Sequence, residues 1–220
     1  MSGRTGPNIV RNGLIFELDA ADKNSYPGAG TLWKDLSINS YNGTLTNGPT
    51  YSSANNGSIV FDGVNDLVVF SNSLISVPSS HTVMIWFYVS TMIPSAIAYA
   101  NLFAADSNQG IYVYSANGVN GYINFYTAGD NLSSTQVPVN QWVHVAVVCN
   151  AGTVNYYFNG ALDSNSNING VAYNADRIGG DSLSEYLTGK IANVTVYNRA
   201  LNRSEILQNY NATKGRFNLQ

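Results

Sequence analysis

Acid–base, nucleophilic and metal chemistry draw most often on His, Cys and Glu, and this sequence holds few of them. Its two histidines, His81 and His144, have no Cys or His partner at ligand spacing, so a zinc site is not expected. His144 alternates with apolar residues in Trp142-Val143-His144-Val145, which predicts a position on a sheet face with one ring nitrogen satisfied locally. The single cysteine, Cys149, ends the run Val145-Ala146-Val147-Val148-Cys149, where a buried, inert thiol is expected and no internal disulfide can form. Glu17, Glu185 and Glu205 are the only glutamates. Gly-X-Ser-X-Gly is absent, and Ile178-Gly179-Gly180-Asp181 neither follows a dinucleotide-binding strand pattern nor opens a helix. This inventory predicts a protein that is not an enzyme.

The elements that would position these residues are strands. Eight Asn-Gly pairs punctuate the 220 residues, including Asn12-Gly13, Asn42-Gly43, Asn117-Gly118, Asn159-Gly160 and Asn169-Gly170, and both residue types tolerate the positive φ of tight hairpin turns. Between them lie β-branched and aromatic runs at 14–18, 58–61, 67–70, 82–89, 111–114, 122–126, 142–149, 154–158 and 190–197, the pattern of a multi-strand sandwich. The run 82–89 is apolar at nearly every position and should be covered on both faces. The runs 154–158 and 191–197 alternate and should each expose one face. One helix is predicted near 203–210, with Asn202 as cap, Glu205 completing a capping box, and Ile206, Leu207 and Tyr210 as its apolar stripe.

Hydrophobic residues make up 45% of the chain and charged residues only 10%, so a large core is possible beneath a surface of neutral polar groups, chiefly 30 Asn and 23 Ser. Ten basic residues against thirteen acidic ones leave a net charge of −3 and no basic stripe, which argues against nucleic acid as a partner. The opening residues lack the apolar segment of a secretory signal, and no run is long and apolar enough for a membrane helix, so a soluble protein made in a cytoplasm is expected. Six Asn-X-Ser/Thr sequons are about what chance yields in so Asn-rich a chain and are not read as glycosylation signals.

Five segments in order carry a resemblance: Ile59-Val60-Phe61-Asp62-Gly63-Val64-Asn65-Asp66, Val83 to Val89 with Trp86, Trp142-Val143-His144-Val145-Ala146, Tyr157-Phe158-Asn159-Gly160, and Ile191 to Leu201 with Glu205-Ile206. Together they resemble a laminin-G-like, concanavalin A-like domain. The resemblance implies an all-β fold, a two-sheet antiparallel jelly-roll sandwich with one short C-terminal helix, over about residues 13–212, between an N-terminal arm (1–12) and a C-terminal tail (213–220). A narrower likeness lies in Leu18-Asp19-Ala20-Ala21-Asp22, in Ser25 to Ser37, in Asn42 to Pro49 and in the ending Tyr210 to Phe217. These segments are similar to jelly-roll modules of tailed-bacteriophage structural proteins. That likeness implies a non-enzymatic decoration or appendage protein of a virion, on head or tail, made in the host bacterial cytoplasm, joined to other virion proteins and homo-oligomeric. The alternative is a glycan-binding module that recognises a host surface, and a glycosidase ranks last.

Two site expectations follow from the same resemblance. Laminarinase-like glycosidases on this fold carry Glu-X-Asp-X-X-Glu, against Glu17-Leu18-Asp19-Ala20-Ala21-Asp22 here. Retaining hydrolysis needs carboxyl groups about 5–5.5 Å apart, and Asp22 in place of Glu withdraws one of them. The run is therefore read as a first strand entering a polar turn. Laminin-G-like domains often hold calcium at a rim, making Asp66 and Asp181 the acids to examine, although calcium prefers about six to eight oxygen ligands. No other cofactor is expected, and Asp62 is read as a turn former. Trp86 and Trp142 are expected in the core and Trp33 in a small satellite cluster with Leu32 and Leu36. Tyr112, Tyr114, Tyr122 and Tyr126, set among Asn and Ser, are expected to be exposed as a glycan-binding or subunit-contact surface. The Gly- and Pro-containing arm is expected to dock on a neighbouring subunit, with Ile9 and Val10 as apolar anchors and Arg4 and Arg11 pairing with acids; the alternative is packing against its own sandwich.

Overall fold

The computed structural model describes residues 7–70, 75–92, 98–105, 109–127, 129–150, 152–166, 168 and 171–219. Arg4 and the Asn169-Gly170 turn lie outside them. The first strands are β1 (Leu14–Asp19), β2 (Leu32–Trp33), β3 (Gly43–Thr46), β4 (Thr50–Ser52), β5 (Ser58–Asp62) and β6 (Leu67–Phe70). There follow β7 (Ile75–Val77), β8 (His81–Val89), β9 (Ala98–Ala104), β10 (Gln109–Ser115), β11 (Gly121–Thr127) and β12 (Leu132–Val137). The chain continues through β13 (Trp142–Asn150), β14 (Thr153–Phe158), β15 (Ala161–Ser166), β16 (Tyr173–Ala175), β17 (Arg177–Ile178), β18 (Thr188–Tyr197) and the helix α1 (Arg203–Thr213).

Two eight-stranded antiparallel sheets pack face to face. One runs β15-β14-β13-β8-β18-β5-β4, with β1 also on β18; the other runs β12-β11-β10-β9-β17-β6-β3-β2. The ten residues of β18 serve two neighbours on one edge: residues 188–191 pair with β5 and residues 193–197 with β1, across a register shift between Ile191 and Asn193. Inward-facing Phe16, Leu18, Ile59, Val68, Val83, Ile85, Phe87, Phe103, Ile111, Val113, Ile123, Phe125, Val145 and Val194 share one core, as the period-two alternation of strands requires.

The outer face of the first sheet is covered as well. Ile206 and Tyr210 of α1 are buried on it, beside Met84, Ala146 and Tyr197 in one cluster and Trp86 and Ala192 in another. The capping box forms as expected: Asn202 Oδ1 accepts from the Glu205 N–H at 3.0 Å, and Glu205 Oε2 accepts from the Asn202 N–H at 2.9 Å. Arg199 clamps the same carboxylate with both terminal nitrogens, at 2.9 and 2.7 Å. Leu207, by contrast, is half exposed, because the buried stripe continues through Asn209 instead. Asn209 accepts from the Val10 N–H at 2.8 Å and donates to the Tyr197 hydroxyl at 2.9 Å, so one amide ties helix, sheet and N-terminal segment.

That cover corrects two expectations. The alternating run 191–197 exposes neither face, since Ala192, Asn193, Thr195 and Tyr197 are buried beneath α1 and the chain ends. Trp86 is buried, yet on this outer layer, stacked on Phe217 at 4.2 Å with its indole N–H donating to Thr213 at 2.7 Å; Trp142 beside it is half-buried. Trp33 belongs to the main core, while Leu32 next to it is exposed.

Candidate functional site

The outer face of the second sheet is where side chains with binding chemistry collect. Ile111 and Val113 point into the core, so Tyr112 and Tyr114 point outward. Register places Tyr112 opposite Asn124 on β11 and Asn101 on β9, and Tyr114 opposite Tyr122 and Tyr99. Gly110 lies opposite Tyr126. Tyr99 is the hub of the cluster, with ring centroids 6.0 Å from Tyr112, 5.2 Å from Tyr114 and 6.0 Å from Tyr126. Its hydroxyl donates to Asp130 at 3.1 Å, and the amide of Asn124 donates to the same carboxylate at 2.7 Å. Burial and that carboxylate hold the Tyr99 phenol above its ordinary range, so it stays a neutral donor.

A loop over residues 179–187 folds back across this face. It closes through the Leu187 N–H donating to Gly179 O at 2.8 Å, and Leu187 itself is a core residue. Gly179 has φ +85°, and a Cβ there would collide with the ring of Phe61, so only glycine serves at this close approach. Within the loop, Asp181 Oδ1 accepts from the N–H groups of Leu183 and Glu185 at 2.9 and 3.2 Å. The loop thereby brings Leu183 and Glu185 over the tyrosines, and together with Tyr99, Tyr112 and Tyr126 they line a cavity of about 130 Å³. At about 30 Å³ per liquid water, that is room for about four waters or one small ring.

The cavity is built with hydrogen-bonding capacity left over. Tyr112 is 1% exposed and its hydroxyl has no partner; beside it Asn101 is wholly buried with neither its amide nitrogen nor its oxygen paired. Unpaired buried groups of this kind each cost about 1–3 kcal/mol unless something bonds to them. Burial, then the carboxyl of Asp181, pushes Glu185 up to about 8, which favours its protonated, hydrogen-bond-donating form. Burial and these acids also keep the Tyr112 phenol protonated.

Of the tyrosines expected to form a surface, all four share this face. Tyr112 is buried at the cavity wall rather than exposed, whereas Tyr114, Tyr122 and Tyr126 are half-buried. Sequence reading missed Tyr99, Asn101, Leu183 and Glu185. The strand β9 reads Ala-Tyr-Ala-Asn-Leu-Phe-Ala, with alanine diluting its β signal; the alternation of Tyr99 and Asn101 with Ala100 and Leu102 was the available cue.

The other candidates lie elsewhere. Glu17 and Asp19 point to the outer face of the first sheet, where Glu17 pairs with Arg11, and Asp19 pairs with Arg216 at 2.8 Å. Asp22 Oδ1 accepts from the backbone and side chain of Asn24, and Asp62 Oδ1 from the Val64 N–H at 2.8 Å, both turn roles. Asp66 and Asp181 occupy neighbouring loops, for Asp66 O lies beside Gly180. Asp66 is buried with Oδ1 unpaired and its carboxyl raised by burial. Among the described residues no group of three His, Cys, Asp or Glu side chains could hold a metal, so these two acids do not by themselves make a calcium cage. His144 is buried with Nδ1 unpaired, and Cys149 is buried with its thiol pushed up. Ile9 and Val10 pack on the chain's own structure: Ile9 is buried, and Val10 O accepts from the Tyr197 hydroxyl at 2.9 Å.

Two face-to-face antiparallel sheets, one outer face closed by helix and termini and the other carrying an aromatic cavity, define a concanavalin A-like sandwich. The model of the concanavalin A-like lectin/glucanase superfamily matches residues 62–207, and the chain belongs to that family. Domain 4 of AbnA, a GH43 extracellular arabinanase from Geobacillus stearothermophilus solved with arabinotriose, is similar with TM-score 0.68 and 15% identity, covering 91% of this chain and 100% of that one. The binding domain of Paraclostridial Mosquitocidal Protein 1 is similar with TM-score 0.69 and 18% identity over 91% of this chain and 52% of the other. Trypanosoma rangeli sialidase gives TM-score 0.69 and 15% identity over 94% of this chain, which spans only 34% of the enzyme. At these identities the likeness is one of fold. No curated protein sequence matches the chain.

Proposed function

We propose that this chain is a non-catalytic glycan-binding module whose site is the tyrosine-lined cavity on β9, β10 and β11. The observation that carries the reading is the buried, unpartnered Tyr112 hydroxyl at the wall of a cavity lined by three tyrosines, Leu183 and Glu185. Aromatic rings offer an apolar face to a sugar ring while buried donors and acceptors meet its hydroxyls. Support also comes from the likeness to an arabinanase domain solved with arabinotriose and to a toxin's binding domain. The non-catalytic part of the reading rests on Glu17 and Asp19 each being paired to an arginine.

A glycan array that includes arabino-oligosaccharides tests this reading. Binding should be found, and Tyr126→Ala should weaken it at least tenfold while leaving the thermal midpoint within a few degrees. Binding that Tyr126→Ala leaves unchanged would move the site elsewhere. Release of reducing sugar from a β-glucan, lost in Glu17→Ala, would overturn the non-catalytic part. The comparisons favour this glycan-binding alternative over the virion-component reading. On a particle such a module would provide adhesion, a placement that mass spectrometry of purified virions tests.

A further inference from the structure

We infer that the cavity receives an uncharged sugar unit through its hydroxyls and discriminates against carboxylated sugars; this rests on the glycan-binding reading above. A sugar hydroxyl both donates and accepts, and the unsatisfied groups here are of both kinds. Tyr112, a wall residue, carries an unpaired hydroxyl that can both donate and accept, and Asn101, opposite it on the neighbouring strand and behind the wall residues, leaves that hydroxyl unpaired from its side. A carboxylate ligand would instead need a cation or a row of donors.

The charges around the cavity point the same way. Asp130 holds the Tyr99 hydroxyl, and Asp181 lies against Glu185. The one cation acting on Tyr112 is Arg177, which Asp176 engages at two nitrogens, 2.7 and 3.1 Å. A sialate or uronate entering beside these acids would lose its water against like charge and meet an arginine already engaged, a penalty that a neutral ring escapes. The acids thus act as a filter, while Tyr112 supplies the reading group at the cavity wall.

Titration calorimetry with the intact chain separates the possibilities, using neutral oligosaccharides (arabinose, glucose, galactose and N-acetylglucosamine series), sialyllactose, and oligogalacturonate as probes. The expected result is binding of at least one neutral series, at least tenfold tighter than either carboxylated probe. Tyr112→Phe, which keeps the ring and removes only the unpaired hydroxyl, should weaken that binding about fivefold while the melting temperature of the free protein stays the same or rises. Leu183→Arg, which adds a cation at the exposed cavity rim, should raise affinity for the carboxylated probes. If carboxylated probes bind as well as neutral ones and Tyr112→Phe weakens them, the inference fails and the glycan-binding reading stands. If nothing binds, both fail; if binding ignores Tyr112→Phe but is weakened by Tyr126→Ala, this inference fails and the glycan-binding reading stands.

Discussion

His81 and His144 show how burial sets the behaviour of a single residue. Burial lowers His81 to about 4, against a hydrogen bond between its Nδ1 and Pro78 O, and lowers His144 to about 3. A base depressed in the fold stays neutral there while the unfolded chain takes up its proton below about pH 6.5. Stability is therefore full above that pH, falls as the pH drops, and stops falling from this cause once the folded-state values are passed. Each histidine contributes a slope of about 1.4 kcal/mol per pH unit in that window. Melting temperatures between pH 7 and pH 5 should decline, and His144→Gln should flatten the decline; a constant melting temperature over that range would contradict the burial argument. The inert thiol of Cys149 was legible because its run is continuously apolar. The unpaired Nδ1 of His144 was not, because a partner's absence depends on Trp86 and Tyr210 packing over the ring.

Helix α1 is the element whose ends were written most clearly in the chain. Asn202 and Glu205 satisfy each other's backbone N–H groups, and Arg199, three residues before the cap, holds the Glu205 carboxylate below its usual range. Asn202→Ala should cost about 1 kcal/mol in urea unfolding, the ordinary worth of an N-cap, and a loss under a few tenths would mean that packing alone sets the helix start. Strand β9 and the loop after β17 were hard to read for a physical reason. An alanine-rich strand gains its stability from neighbours on both edges, and the 179–187 loop takes its path from Gly179 fitting against Phe61, a contact distant in sequence. The glycine pair that lacked any phosphate-binding context is what lets this loop deliver Glu185 to the tyrosines.

Over the whole molecule, the chain ends act as structure rather than appendages. Residues 214–217 form a short 3₁₀ turn that places Phe217 on Trp86 and on Trp142, at 4.2 and 4.6 Å, while Arg216 reaches Asp19. Phe217→Ala should cost about 3 kcal/mol and increase iodide quenching of tryptophan fluorescence; unchanged quenching would show that α1 alone shields Trp86. What the sequence by itself determined was the β class, most strand positions, the helix with its cap, and the family. These are local or periodic signals, carried by turn residues and by alternation within a few positions. The tertiary structure alone decided which outer face is closed and which is open, because that depends on where α1, Val10 and Phe217 land. It also placed Tyr99, Tyr112 and Glu185, from three separate segments, around one cavity. Proximity across sheet register and loop return leaves no periodic trace in the chain, so only the folded molecule reveals it.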